Sequence, residues 1–177
     1  MLREKSFRLL LDTVKKKEPK KILEVGVNVG LSGIAMLLTV KTARLTGIEI
    51  SEEKISEAKR NYAEFGVSDR VKILQGDASE ILPLLTGKYD FIFLDGPKGH
   101  YYEYSSYLLP VLNKGGILFA DNVLYRGYVD GRVKVPHSHA TIKHSMENFL
   151  KVICNDKALE TVVYDLEDGV SITEKLI

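Results

Sequence analysis

Short apolar runs recur along this chain, and stretches with helical spacing or helix-start residues separate them. The five runs are KILEVG, ARLTGIEI, VKILQG, YDFIFLD and GGILFAD. Alternation of strands and helices at this spacing is typical of βαβ units, in which the strands lie parallel and helices cover both faces of the sheet. The sequence therefore predicts an α/β fold built on a mainly parallel sheet.

The last third of the chain has a different pattern. A polar loop from about 123 to 137 leads into a predicted helix that carries Ile142, Met146, Phe149 and Leu150. Two strand-like runs follow, ETVVYDL and GVSITEKLI, with EDG between them. A turn this short favours an antiparallel hairpin. We expect the hairpin to close one edge of the sheet and to bring the total to seven strands.

Length and composition indicate one globular domain over residues 1–177. No stretch approaches the roughly 18 apolar residues of a membrane span. Charges interrupt the apolar residues at the N-terminus, so the start does not resemble a secretory signal. These features predict a cytoplasmic protein with no membrane partner. The only cysteine, Cys154, is predicted to be a buried thiol and not a nucleophile.

The first 21 residues carry eight Lys or Arg against three Asp or Glu, although the whole chain has a net charge of only +1. Within them, Phe7, Leu10, Leu11 and Val14 follow helical spacing. This pattern predicts an amphipathic helix over residues 1–18. A helix packed on the core is favoured over an arm that binds RNA or membrane.

The first predicted strand runs into the glycine-rich turn EVGVNVGLSG, with glycines at 26, 30 and 33. A dinucleotide-binding fingerprint needs glycine at two further positions, which are occupied by Asn28 and Leu31. The fingerprint therefore fails, and a nicotinamide oxidoreductase is disfavoured. What remains is a turn from strand to helix that brings backbone amides close to a ligand.

Acidic residues follow the next two predicted strands. Glu49 ends the second strand, where it is placed to accept hydrogen bonds from ribose hydroxyls, and Asp77 ends the third. Each feature alone also serves ordinary turn geometry. In this order, they favour a nucleoside-like ligand across the carboxyl ends of the strands.

The fourth and fifth predicted strands end on polar residues as well. Asp95 closes the fourth, and Asp121 with Asn122 closes the fifth. If these strands are neighbours, the three side chains meet at one edge of the sheet. Three hard oxygen donors suit Mg²⁺ or Ca²⁺ better than zinc. Spacing alone leaves open the alternative, in which Asp95 begins a turn and Asp121 and Asn122 merely end a strand.

The glycine turn and the acids in this order resemble the class I S-adenosylmethionine-dependent methyltransferases. Their first motif is similar to the E-x-G-x-x-x-G of Glu24, Gly26 and Gly30. The resemblance implies a Rossmann-like fold, Glu49 on the ribose, Asp77 and Ala78 beside the adenine, and Ser32 near the methionine carboxylate. The implied cofactor-binding residues are Glu24, Gly26, Asn28, Gly30, Ser32, Glu49, Asp77, Ala78 and Asp95.

The stretches FLDGPKGHYYEY and GGILFADNVLYRG resemble the metal-dependent O-methyltransferases, a family that includes catechol and caffeoyl-CoA O-methyltransferases. The resemblance implies that Asp95, Asp121 and Asn122 bind the divalent metal, Mg²⁺ in the first instance, and that Lys98 is the catalytic base. A neighbouring dication favours the uncharged form of an amine, which agrees with that role. Tyr101 and Tyr104 follow at helical spacing, and packing in the core or against another subunit is favoured over stacking on a substrate.

The resemblance leaves the methyl acceptor open between a small hydroxylated aromatic molecule, a CoA ester and the 5-hydroxyuridine of tRNA. Arg126, Arg132, Lys134 and Lys143 favour an anionic acceptor without choosing one. The alternative is a non-catalytic nucleoside-binding module that retains the fold. Only about 20 residues precede the first strand, so the N-terminal helices usual in the family are expected to be missing, which leaves a homodimer open.

Overall fold

The computed structural model describes residues 3–177. Met1 and Leu2, the first two positions of the helix predicted over 1–18, lie outside the described residues. None of the helices between residues 3 and 177 is long and apolar enough to cross a membrane. The helices and strands are α1 (Glu4–Lys17), β1 (Lys21–Val25), α2 (Leu31–Thr39), β2 (Arg44–Glu49), α3 (Glu52–Glu64), β3 (Val71–Gln75), α4 (Ala78–Ile81), β4 (Tyr89–Leu94), α5 (Tyr101–Val111), β5 (Leu112–Asp121), α6 (Ala140–Asn155), β6 (Leu159–Tyr164) and β7 (Val170–Lys175).

The strands form one seven-stranded sheet in the order β3-β2-β1-β4-β5-β7-β6. Strands β1 to β5 are parallel, whereas β7 runs antiparallel to both β5 and β6. The predicted parallel sheet and its closing hairpin are therefore confirmed. The strand order reverses between β1 and β4, and in open α/β sheets ligands bind in the crevice at such a point.

The core consists of one apolar layer on each face of the sheet, and β4 contributes to both. Phe91 and Phe93 pack with α1, α2 and α3, while Ile92 and Leu94 pack with α4, α5 and α6. A strand buried on both faces reads as a continuous apolar run, which explains FIFL. Leu10 and Val14 of α1 are fully buried in the first layer. The N-terminal helix therefore packs on the core, as predicted.

Two predictions of burial are wrong. Ile55, Ala58, Tyr62 and Phe65 follow helical spacing in SEEKISEAKRNYAEFG, which predicts one apolar face of α3, but Phe65 is 50% exposed. It lies just after the last helical turn, with φ −87° and ψ 4°, so it no longer shares that face. Cys154 is exposed because the buried face of α6 ends at Ile153, and the following residue is rotated out of it.

The turn between β6 and β7 holds the N-terminus of α1. Both carboxylate oxygens of Glu167 accept hydrogen bonds from helix-start groups: the Lys5 and Ser6 amides at 3.2 Å and the Ser6 hydroxyl at 2.7 Å. Asp168 forms an ion pair with Arg3 at 3.1 Å. An acidic side chain is favourable at a helix N-terminus, where the amides lack partners within the helix. These contacts fix α1 relative to the sheet edge.

Replacing Glu167 with Gln should lower the free energy of unfolding by about 1 kcal/mol, because one accepting oxygen becomes a donor and the charge is lost. Urea denaturation measures the change. The matched control is Glu174→Gln, which breaks an ion pair between Glu174 of β7 and Lys17 of α1 that is 2.8 Å long and partly exposed. The control should change stability by less than about 0.5 kcal/mol. Equal effects of the two variants would contradict the capping role.

Candidate active site

Two adjoining cavities lie at the carboxyl ends of the strands, where the strand order reverses. The larger has a volume of about 310 Å³ and the smaller about 240 Å³. Gly26, Asn28 and Asp95 line both. Seven of the nine predicted cofactor residues line one or both cavities: Gly26, Asn28, Ser32, Glu49, Asp77, Ala78 and Asp95.

Gly26 brings the ends of β1 and β4 together at the floor of both cavities. Its φ is +95°, and a Cβ at this position would lie 2.6 Å from the carbonyl oxygen of Asp95. The Asp95 amide in turn donates to the carbonyl of Val25 at 3.0 Å. Only glycine fits a left-handed backbone with a neighbour this close. Gly26 of the first motif therefore allows the ends of β1 and β4 to lie close together.

Asn28 and Glu49 join the glycine turn to the end of β2. The Asn28 amide donates to Oε2 of Glu49 at 2.8 Å, and Oε1 accepts from the amides of Ile50 and Ser51, each at 3.0 Å. Asn28 has φ +52°, a left-handed conformation that asparagine tolerates better than most residues. The Glu49 carboxylate is held by backbone amides, and its remaining lone pairs are available to hydroxyl groups of a ligand.

Asp77 and Ala78 lie at the start of α4, just after β3, and line the larger cavity. The Asp77 carboxylate caps the helix by accepting from the Ser79 amide at 2.8 Å. The Ser79 hydroxyl lies 3.4 Å from the hydroxyl of Tyr104. The predicted pair therefore lines the larger cavity, as Glu49 does at the end of the neighbouring strand β2.

Several residues that line these cavities were not predicted from the sequence. Tyr104 is buried as predicted, yet it also lines the larger cavity, where Ile50 and Lys54 lie as well. Phe7 of α1 and Leu31 line the smaller cavity. Ile50 directly follows Glu49, which was a usable signal. The contribution of Phe7 depends on how α1 docks, and its helical spacing alone does not reveal that.

Glu24 and Gly30 line neither cavity. The carboxyl group of Glu24 is fully buried, and the Ser32 hydroxyl donates to its Oε1. Burial raises the pKa of Glu24 to about 8; the hydrogen bond from Ser32 opposes this shift, and the charges of Asp95 and Glu49 add to it. At neutral pH the group is mostly protonated in this state. It supports the turn from below, and its predicted contact with the cofactor stays a prediction.

The second group of predicted residues lies where β4 and β5 end. The register pairs Leu94 with Ala120, so Asp95 and Asp121 follow at neighbouring positions. The buried Tyr101 hydroxyl is placed to donate to the carbonyls of Leu94 and Asp121, at 3.0 and 3.2 Å. The predicted convergence of the two strand ends is therefore present.

Negative charge is concentrated at these strand ends. Asp121 is only 4% exposed, and burial, followed by the charge of Asp95, raises its pKa to about 6. The Asn122 amide and the charge of Lys98 oppose this shift, and the charge of Asp168, which the sequence analysis did not single out, adds to it. Nζ of Lys98 lies 2.6 Å from Oδ1 of Asp95. Lys98 therefore contacts one of the two carboxylates that are predicted to bind a metal.

Histidines, cysteines and acids do not form a metal-binding group of three or more anywhere in the described part of the chain, residues 3–177. The predicted set of Asp95, Asp121 and Asn122 has two carboxylates and one amide, so it is not a group of that kind. Its ability to bind a metal stays a prediction that rests on donor chemistry. His139, in contrast, bonds to the hydroxyl of Tyr125 at 3.1 Å.

Comparison with known proteins identifies the family. A family model described as O-methyltransferase matches residues 3–176. Tricin synthase 2 of Oryza sativa subsp. japonica is 32% identical over 168 residues, which are 89% of this chain and 57% of that protein. The chain thus spans a little over half the length of this relative.

Solved structures of similar proteins share this fold. The methyltransferase PaMTH1 of Podospora anserina, solved with SAH bound, has a TM-score of 0.87 at 27% identity, over all of this chain and 80% of that one. A putative caffeoyl-CoA O-methyltransferase from Staphylococcus aureus has a TM-score of 0.88 at 26% identity, over 99% of this chain and 85% of that one. With the family model matching nearly the whole chain, the protein belongs to the O-methyltransferase family and has the class I methyltransferase fold.

Proposed function

We propose that the protein transfers the methyl group of S-adenosylmethionine to a hydroxyl oxygen of its acceptor. In this proposal Asp95, Asp121 and Asn122 hold a divalent cation, Mg²⁺ or another hard ion, and Lys98 takes up the hydroxyl proton. The observation that carries the proposal is the position of Asp95. Asp95 lines both cavities and follows β4, beside Asp121 at the end of β5. Its carboxylate contacts Lys98.

The two cavities support S-adenosylmethionine as the methyl donor. The larger cavity offers Glu49 for ribose hydroxyls and Asp77 with Ala78 for the adenine. The smaller offers Ser32 at the start of α2, where unpaired amides favour a carboxylate. PaMTH1, with SAH bound, shares the fold over the whole chain, which also favours this donor.

The strand ends of β4 and β5 fit a hard divalent cation by their chemistry. All three side chains supply oxygen donors, as Mg²⁺ and Ca²⁺ require. The raised pKa of Asp121 reflects burial first and then the neighbouring Asp95 charge, and a cation at this position would offset both costs. When bound, such an ion supplies Lewis-acid polarisation of the acceptor hydroxyl.

Lys98 is the group placed to take up the proton. Pro97, with φ −63°, fixes the turn before it, and the ammonium group is held 2.6 Å from Oδ1 of Asp95 and 5.6 Å from the centre of the Tyr101 ring. As a base Lys98 would act in its uncharged amine form, in which Nζ has a lone pair to accept a proton. Nζ then accepts the hydroxyl proton, the acceptor oxygen bonds to the methyl carbon, and the bond from that carbon to sulfur breaks.

The surface beside this site favours a small hydroxylated aromatic acceptor over tRNA. Two of the four cations that suggested an anionic acceptor are paired with acids: Arg132 with Asp165 at 2.9 Å and Lys143 with Glu147 at 3.0 Å. The rings of Tyr125, Tyr128 and His139 cluster with centres 5.5 to 5.8 Å apart. Tyr128 is buried, and Tyr125 and His139 are partly exposed. Aromatic side chains suit a planar ring, and paired charges add little to phosphate binding.

Transfer of a labelled methyl group tests the proposal. We expect incorporation into catechol-like or hydroxycinnamoyl acceptors with Mg²⁺ and none with a chelator. Incorporation only into undermethylated tRNA that carries 5-hydroxyuridine would support the proposed methyl transfer but show that the acceptor is tRNA and not a small aromatic molecule. No incorporation into either acceptor by a folded protein that binds S-adenosylmethionine would favour the alternative, a nucleoside-binding module without catalysis.

Asp121→Asn should reduce metal-dependent turnover at least 100-fold and leave the affinity for S-adenosylmethionine within about threefold, because Asp121 lines neither cavity. In metal-free buffer the variant should also be more stable by about 2 kcal/mol at pH 7.5, because a raised pKa means that ionising this acid destabilises the folded state. The gain should shrink as the pH falls from 6 to 4, where the acid becomes protonated.

Turnover assays, calorimetric titration and denaturation at several pH values measure these effects. Asp156→Asn is the matched control, since this exposed acid lies at the far end of α6. It should change neither activity nor stability appreciably. Unchanged turnover in Asp121→Asn would remove the metal from the mechanism.

Lys98→Ala should lower kcat 10² to 10³-fold at neutral pH, the usual contribution of a general base. Because the acceptor hydroxyl ionises by itself in alkaline solution, the deficit of the variant should become smaller as the pH rises above about 9. A pH series of kcat measures both effects, with Lys143→Ala as the control for losing a lysine on the same side of the sheet. A deficit that is constant with pH would show that Lys98 acts only by positioning.

A further inference from the structure

The Asn61 side chain of helix α3 contacts the glycine turn, although it lines neither of the two cavities. Nδ2 of Asn61 donates a hydrogen bond of 2.8 Å to the carbonyl oxygen of Val29. Asn61 is partly buried and lies near the C-terminal end of α3, 32 positions from its partner along the chain. The bond therefore connects two elements that the sequence separates.

The next residue of α3, Tyr62, supports the turn from below. Its side chain is almost completely buried, with 2% of the residue exposed. Gly30 has φ +85°, and a Cβ there would lie 2.9 Å from Cζ of the Tyr62 ring; at Gly33 a Cβ would lie 2.8 Å from the Tyr62 hydroxyl. The ring thus occupies the space that two missing side chains leave, and the turn backbone rests on it.

Three successive positions of the turn are held by one continuous segment, the end of β2 and the length of α3. Glu49 accepts from the amide of Asn28, Asn61 donates to the carbonyl of Val29, and Tyr62 packs against Gly30. Glu49 and Asn28 both line the larger cavity. The segment that carries the predicted ribose carboxylate therefore also fixes the loop that contacts this carboxylate.

We propose that Asn61 and Tyr62 are positioning residues for cofactor binding, and that they hold residues 28–30 in the binding conformation before the cofactor arrives. This inference rests on only one part of the proposed function, the binding of S-adenosylmethionine. Asn28 adopts a left-handed backbone that costs energy in a residue other than glycine, and surrounding contacts must maintain it. A loop ordered in advance loses less entropy on binding, so affinity rises.

Asn61→Asp tests the hydrogen bond with an isosteric change, since an acceptor replaces the donor that faces Val29. Calorimetric titration with S-adenosylmethionine and with SAH needs no methyl acceptor. We expect the dissociation constant to rise about tenfold for both ligands, with kcat at saturating cofactor within about twofold and Tm within about 3 °C of the unchanged protein.

Asn155→Asp is a closely matched control. Asn155 also donates through Nδ2 to a main-chain carbonyl, that of Lys151, at 2.8 Å, and it also lies in the last turn of its helix, α6. Both variants therefore bring the same charge to a helix C-terminus, where it is unfavourable. The control should bind both ligands with unchanged affinity.

The Tyr62 ring is tested by Tyr62→Phe and Tyr62→Leu. Phe keeps the ring under Gly30 and should leave affinity within about threefold, whereas Leu removes the support and should weaken binding more than the Asn61 variant does. If Asn61→Asp binds S-adenosylmethionine as tightly as the unchanged protein, or loses affinity only in proportion to a loss of Tm, the inference is overturned. Failure of the unchanged protein to bind would overturn the cofactor assignment itself.

Discussion

The side-by-side ending of β4 and β5 is the constraint on which the rest of the site depends. The Tyr101 hydroxyl joins these ends through the carbonyls of Leu94 and Asp121. Asp95 is thereby fixed beside Asp121, within contact of Lys98, and against Gly26 of the first turn. One residue thus belongs to the cavities, to the proposed cation site and to the contact between two strands. Movement of these strand ends would disturb all three.

Two acids near the site, Glu24 and Asp121, are buried in a way that disfavours their charged forms. Burial raises the pKa of both Glu24 and Asp121, and neighbouring carboxylates add to each shift. Buried acids with raised pKa values are typical of functional sites, because ligands or ions can offset a cost that the empty protein bears. On this account ionised Asp121 lowers the stability of the strand ends of β4 and β5, and a cation bound by the proposed site would offset that cost.

The sheet and the meeting of Asp95 with Asp121 were predictable, because parallel strands place their carboxyl ends at one edge. The support of the glycine turn by Asn61 was not, since it depends on how α3 docks. Phe65 was misjudged because helical spacing loses its meaning after the last turn. The ion pairs of Arg132 and Lys143 were not predictable either, because a sequence does not show which charged residues lie side by side.

Anomalous diffraction from crystals of the protein grown with Mn²⁺ and SAH tests the central claim most directly. The account predicts one strong peak within about 2.5 Å of oxygens from Asp95, Asp121 and Asn122. It also predicts that the peak disappears in the Asp121→Asn variant. A peak elsewhere, or no peak at these strand ends in crystals that contain SAH, would contradict the proposal that a metal ion activates the acceptor.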